Sequence, residues 1–156
     1  EAEFNLKPIR SSSIAETVIR AGNLEEALAL FDQHRASAYS VAWIDCLASG
    51  GSLGRSLLMT GEHCIEGELA VPGRRGISVP FDLPGLLLNR YSVGIFNSVY
   101  YRRTGKMATS GNTDYRSFFY PLDLIQRWNR IYGRKGFIQY QPVFPKTAGP
   151  EGITLP

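Results

Sequence analysis

The sequence predicts an α+β fold, a mostly antiparallel sheet with helices on one face, and three stretches carry that prediction. Tyr39 to Leu47 (YSVAWIDCL) and Arg55 to Glu62 (RSLLMTGE) are strand-like runs joined by the glycine-rich SGGSLG, an arrangement that favours antiparallel pairing of chain neighbours. Asn23 before LEEALALF opens a helix. Phe137 to Gln141 (FIQYQ) alternates like a further strand. The coarse order is strand, helix, strand, strand, long loop, helix, strand, helix, strand.

The first strand region runs from Phe4 to Ile19, beginning with NLKPIR and passing through Ser11, Ser12 and Ser13 into IAETVIRA; Pro8 makes it an edge or an interrupted strand. In the following helix Asn23 caps the first turn and Glu26 takes the capping-box place. Leu24, Ala27, Leu28 and Phe31 form its apolar stripe, and the helix ends near His34, a surface histidine favoured by the helix dipole. Extended, Tyr39, Val41, Trp43 and Asp45 share one side of the next strand. Asp45 is either an acid or hydrogen-bonding group, or a strand-end carboxylate satisfied by turn amides. Cys46, in an apolar run, reads as a buried thiol, and Cys64 as one that could be exposed.

From Cys64 to Pro84 the chain is irregular, punctuated by Pro72, Gly73, Gly76, Pro80 and Pro84. Leu86 to Arg103 is one helix, or a helix followed by an extended piece, since Gly94 interrupts it and its β-branched residues also suit a strand. Thr104 to Tyr115 is small and polar and reads as a loop. Beyond it, Leu122, Ile125, Trp128 and Ile131 recur at three-residue steps, which predicts a helix or helical turn starting near Pro121 and stopping at Gly133. In the last strand Phe137, Gln139 and Gln141 share a face opposite Ile138 and Tyr140. The two same-side amides are either the polar face of a wet strand or a row of donors and acceptors facing a cavity.

At 156 residues and 44 % hydrophobic content, the chain has the composition of one folded domain. A net charge of +3, with basic residues only in pairs such as Arg102 and Arg103, argues against a nucleic-acid footprint. Cys46 and Cys64 outline no disulfide framework, and with His63 they supply too few ligands for a metal site. No apolar stretch reaches membrane-spanning length. The resulting expectation is a soluble, reduced, cytoplasmic protein. SGGSLG lacks the GxxxxGK[ST] pattern of a phosphate-binding loop.

Five blocks, YSVAWID (Tyr39 to Asp45), LGRS (Leu53 to Ser56), FNSVYYRR (Phe96 to Arg103), YPLDLIQRWNRIYG (Tyr120 to Gly133) and GFIQYQ (Gly136 to Gln141), occur in the order found in one enzyme family. Taken together, the chain resembles the substrate (cap) domain of FAD-linked oxidoreductases of the vanillyl-alcohol oxidase type, nearest to the decaprenylphosphoryl-ribose oxidase family. The resemblance implies a partial substrate domain over 1–145 and a tail or truncated linker over 146–156. It implies FAD in a full-length parent, held by that parent's own N-terminal FAD-binding domain, and oxidation of a sugar or alcohol hydroxyl by hydride transfer to flavin N5. It places Gln139, Gln141, Phe119, Tyr120, Leu122 and Arg130 around the substrate and Gln141 also near the cofactor, with Arg130 or Arg102 orienting an anionic group. Tyr120 stands where the family often has histidine, a departure that bears on the substrate. With no glycine-rich diphosphate loop, the fragment alone is expected to bind no FAD and to be inactive. The alternative is a non-catalytic α+β ligand-binding or protein-interaction module, with a homodimer covering the Gln139 face.

Overall fold

The computed structural model describes residues 2–70, 73, 77–82, 84, 88–105, 108–121, 125–136, 138, 141, 143, 145 and 148. Strand β1 (Ser13–Ala21) is followed by helix α1 (Leu24–Gln33), strand β2 (Tyr39–Ile44) and strand β3 (Ser56–His63). The short strand β4 (Ile77–Ser78) precedes helix α2 (Arg90–Arg103), strand β5 (Thr109–Asp114), the one-turn helix α3 (Tyr115–Phe119) and the short strand β6 (Ile125–Gln126). A 3₁₀ segment, Trp128–Lys135, comes last.

The main sheet has the order β2-β3-β1-β5, with every neighbouring pair antiparallel. β1 and β2 therefore run parallel with β3 between them, and β3 and β5 run parallel with β1 between them, so two split β-α-β units interleave. The hairpin expected from SGGSLG forms: Trp43 faces Leu57 and Ile44 faces Ser56 across β2 and β3. β4 and β6 make a separate parallel pair, so the strands are not all antiparallel.

Asn23 caps α1 as its sequence predicts. Its Oδ1 accepts the Glu26 amide at 2.9 Å, while a Glu26 carboxylate oxygen accepts the Gly22 N–H at 2.6 Å. Gly54, at φ +74°, closes the loop against this helix, and a Cβ there would come within 2.7 Å of the Leu24 Cβ. α1 lies over β1 and β3. His34 is its C-cap rather than part of its last turn.

Helix α2 packs where β1 and β2 finish and β3 begins: Tyr100 meets Trp43 edge-on at 5.0 Å, and the polar groups beside it find their partners at that end of the sheet. Asp45, only 2 % exposed, receives two bonds from the Arg55 guanidinium at 2.8 and 2.6 Å, one from Asn97 Nδ2 at 2.6 Å and one from the Leu47 amide at 3.0 Å. Arg55 also reaches Ser98 Oγ at 3.3 Å. The Tyr101 hydroxyl donates to the Ala21 carbonyl at 3.0 Å, and the guanidinium carbons of Arg20 and Arg55 lie 4.3 and 5.0 Å from its ring centroid. Burial works to raise the Asp45 pKa. The bonds from Arg55, Leu47 and Asn97, with the Arg55 charge, outweigh it and hold the carboxyl below its ordinary range.

Several sequence expectations change. The NLKPIR stretch forms no strand, and β1 starts at Ser13, past Pro8. Leu86 to Arg103 resolves, over its described residues, to one helix, with Asn89 and Ser92 forming a capping box. The polar stretch read as a loop contains β5, which pairs with β1 through its backbone and needs no apolar alternation on an outer strand. The expected helical run forms only in part: Trp128 to Ile131 lie in a 3₁₀ segment broken at Gly133, the expected stop, while Ile125 is in a strand. Ile125 pairs with Ile77, Arg127 adopts φ 56°, and Gly133 at φ 61° interrupts the 3₁₀ segment. Cys46 is exposed, since the strand ends at Ile44 and the chain turns outward while Asp45 alone folds in.

Two expected outcomes follow from this packing. Asp45→Asn lowers unfolding free energy at neutral pH by about 3 kcal/mol in urea melts, because it leaves the Arg55 charge without its carboxylate. Since the folded Asp45 pKa lies below the unfolded one, its contribution is complete above the ordinary carboxylate range and disappears as pH falls through the depressed value. The gap between wild type and variant therefore narrows on acidification. Gly61→Ala costs about 1–3 kcal/mol by the same measurement, as its Cβ would stand 2.7 Å from both Ile14 Cγ2 and Phe118 Cζ.

Candidate functional site

Gly61 is the floor of the candidate site. Its missing side chain lets Phe118 drop onto the sheet beside Ile14, and α3 is set at that end of the sheet by its cap and by the Tyr115 N–H bond to the Ser12 carbonyl at 3.1 Å. Asp114 Oδ1 accepts the Arg116 and Ser117 amides at 2.9 and 3.3 Å, and its other oxygen takes the Ser117 hydroxyl. The Ser117 hydroxyl bond, helped by the two amides and the Arg116 charge, outweighs burial and lowers the Asp114 pKa. The Ser117 hydroxyl is thus spent on the cap.

With Phe118 inward, Phe119 turns toward the start of β2. Its ring meets Tyr39 edge to face at 4.8 Å and 87°, and Phe118 at 5.0 Å and 83°. Tyr120 follows at 6.3 Å from Phe119, and His63 stands edge-on to Tyr39 at 5.7 Å. His63 Nδ1 lies 2.9 Å from the Ser11 carbonyl, so that nitrogen carries the proton and donates it. The result is a half-exposed wall of rings from β2, β3 and α3. It offers ring faces, ring edges and the Tyr120 hydroxyl to a ligand with both apolar and hydroxylated sides.

By sheet register Glu16 lies between Gly61 and Gly111 on the same side of the sheet as Tyr39. Burial raises its pKa, and no described group bonds to its carboxylate. Glu16 and His63 carried no local sequence motif. Tyr39 was legible as the start of a strand and of the YSVAWID block, with no site role attached, and the signal that joins all three is long-range pairing across Gly61.

Of the residues singled out from the sequence, Phe119 and Tyr120 come together in this wall. Arg130 is elsewhere occupied: its Nη1 bonds the Val79 and Pro80 carbonyls and its Nε lies 3.9 Å from Asp82, bracing the exit of β4 against the Trp128–Lys135 segment. Arg102 is exposed at the end of α2, and Gln141 is exposed. Gln139 and Leu122 lie outside the described residues, as does most of the FIQYQ strand. The Asp45 alternatives resolve to the structural one, with Arg55 and Asn97 joining the turn amide.

FAD needs a diphosphate cradle, and the glycine turn does not fit one. The Ser52, Leu53 and Arg55 amides are used inside the turn, and the Leu53 carbonyl accepts the Leu24 N–H. Among the described residues no group of three or more His, Cys, Asp or Glu converges as a metal site, and no helix is long and apolar enough to cross a membrane.

No family model matches the chain. Over 138 residues it is 29 % identical to the decaprenylphosphoryl-beta-D-ribose oxidase of Mycolicibacterium smegmatis, covering 81 % of this chain and 30 % of that protein. The chain is thus a distant relative of an oxidase, and it spans under a third of that protein's length.

Glu16→Gln is expected to raise the melting temperature at neutral pH. A folded pKa above the unfolded one means that the charged Glu16 opposes folding once pH exceeds the ordinary carboxylate range. Melts below that range should show no gain.

Proposed function

We propose that the chain is part of the substrate-binding domain of an FAD-dependent oxidoreductase that oxidises a sugar or alcohol hydroxyl by hydride transfer to flavin N5. The observation that carries the reading is the edge-to-face contact of Phe119 with Tyr39, flanked by Tyr120, in a chain 29 % identical over 138 residues to a decaprenylphosphoryl-ribose oxidase. An aromatic wall suits a sugar because the C–H face of the ring packs on it while the hydroxyls stay free for amides and water. In this reading Gln139 and Gln141 supply such amides, and Leu122 shapes the pocket. Arg130 braces it from outside, consistent with its bonds to Val79 and Pro80.

The flavin supplies the redox chemistry and belongs to a separate FAD-binding domain of the longer polypeptide, in keeping with the spent amides of the glycine turn. The residues here bind and orient the substrate and keep water from it.

The test is spectroscopic. Purified in its natural polypeptide and kept anaerobic, the protein should show a visible flavin band that bleaches on addition of a prenylphosphoryl pentose. Phe119→Ala should lower kcat/KM roughly tenfold, the size of one lost aromatic contact. A natural polypeptide that holds no flavin and cannot be reconstituted would overturn the reading in favour of a non-catalytic module.

A further inference from the structure

Helix α2 turns a mixed side to the sheet: Asn97 and Tyr101, each 8 % exposed, bond Asp45 and the Ala21 carbonyl, and Tyr100 packs its ring against Trp43 at 5.0 Å. The outward side is apolar. Tyr91, Ile95 and Val99, at four-residue steps, are 76, 68 and 65 % exposed, and together with Leu47 they line an open groove of about 550 Å³.

The charge around this stripe has one sign. Arg90 stands at the start of the helix and lines one end of the groove, while Arg102 lines the other and Arg103 follows it. From residue 90 to residue 103 there is no Asp or Glu, and no described group pairs with Arg102 or Arg103. A second copy of the chain is a poor occupant. A two-fold contact between antiparallel α2 helices would set Arg90 of one against Arg102 of the other, with no carboxylate between them. The occupant must be apolar where it meets Tyr91, Ile95 and Val99, and anionic at both ends of the helix.

We propose that this face of α2 docks on the surface of an anionic lipid bilayer. The helix lies in the plane of the interface, with Tyr91, Ile95, Val99 and Leu47 among the upper acyl chains and Arg90, Arg102 and Arg103 at the level of the phosphates. Tyrosine and arginine suit that position because each has an apolar body and a polar end. The attachment is peripheral, by one short helix face, and is therefore reversible. It does not rest on the flavin reading, since it uses none of the aromatic-wall residues.

Cosedimentation with vesicles tests the proposal. Purified in its natural polypeptide, the protein is expected to bind vesicles of phosphatidylcholine mixed with phosphatidylserine, to bind pure phosphatidylcholine far less, and to be released as salt is raised; a stripe covered by the rest of that polypeptide would give no binding. Ile95→Glu and Arg102→Glu should each weaken binding roughly tenfold, with unchanged melting temperature because both side chains are exposed. Val99→Ser, a milder change on the same stripe, guards against misfolding of the first variant and should weaken binding in the same direction. Failure to bind the anionic vesicles overturns the proposal, as does binding that Ile95→Glu and Arg102→Glu leave intact. A concentration-dependent dimer in ultracentrifugation that Ile95→Glu abolishes would also overturn it, by showing that a second copy covers the stripe.

Discussion

The ion pair between Asp45 and Arg55 decides how helix α2 meets the sheet. Asp45 stands just past β2 and Arg55 just before β3, so the pair closes the hairpin at one end. The same carboxylate takes Asn97 from α2, and the same guanidinium reaches Ser98 and lies near the Tyr101 ring. A carboxylate this buried is tolerated only when its oxygens are bonded on several sides, and here four donor bonds reach it. On α2, Asn97 is consumed in satisfying it. With Tyr101 on the Ala21 carbonyl and Tyr100 on Trp43 beside it, this contact fixes which side of α2 faces the sheet and leaves Tyr91, Ile95 and Val99 facing out.

The opposite end of the sheet is organised by an absence. Gly61 has no side chain, Phe118 occupies the space, and Phe119 and Tyr120 are carried to the rim beside Tyr39. Glycines at 61 and 111 also leave Glu16 without cross-strand side-chain neighbours on the central strand. The two ends thus differ in kind: one is closed by charge and hydrogen bonds, the other is open and aromatic. Binding surfaces are commonly carried at such an edge, on short elements set by a rigid sheet.

Local signals predicted local structure well. Asn23 and Glu26 marked α1, and the alternation of YSVAWI and SLLMT marked the β2–β3 hairpin with its antiparallel sense. Polar β5 escaped notice because TSGNTD is held by its ladder to β1, and no sequence pattern encodes a partner so distant in the chain. Trp128 and Ile131 kept their three-residue spacing in a 3₁₀ segment, while pairing of Ile125 with Ile77 and the left-handed Arg127 kept Ile125 out of it. At the site, Phe119 and Tyr120 were legible through family resemblance alone. Tyr39, His63 and Glu16 join them only through register across Gly61.

If the ring wall of Tyr39, Phe119 and Tyr120 faces a sugar, a crystal structure of the natural polypeptide soaked with a prenylphosphoryl pentose analogue will show the pentose ring against Phe119 and Tyr120, with carbon atoms within about 4–4.5 Å of the aromatic carbons. An analogue bound away from these rings, or a wall packed shut against another part of the protein, would contradict it.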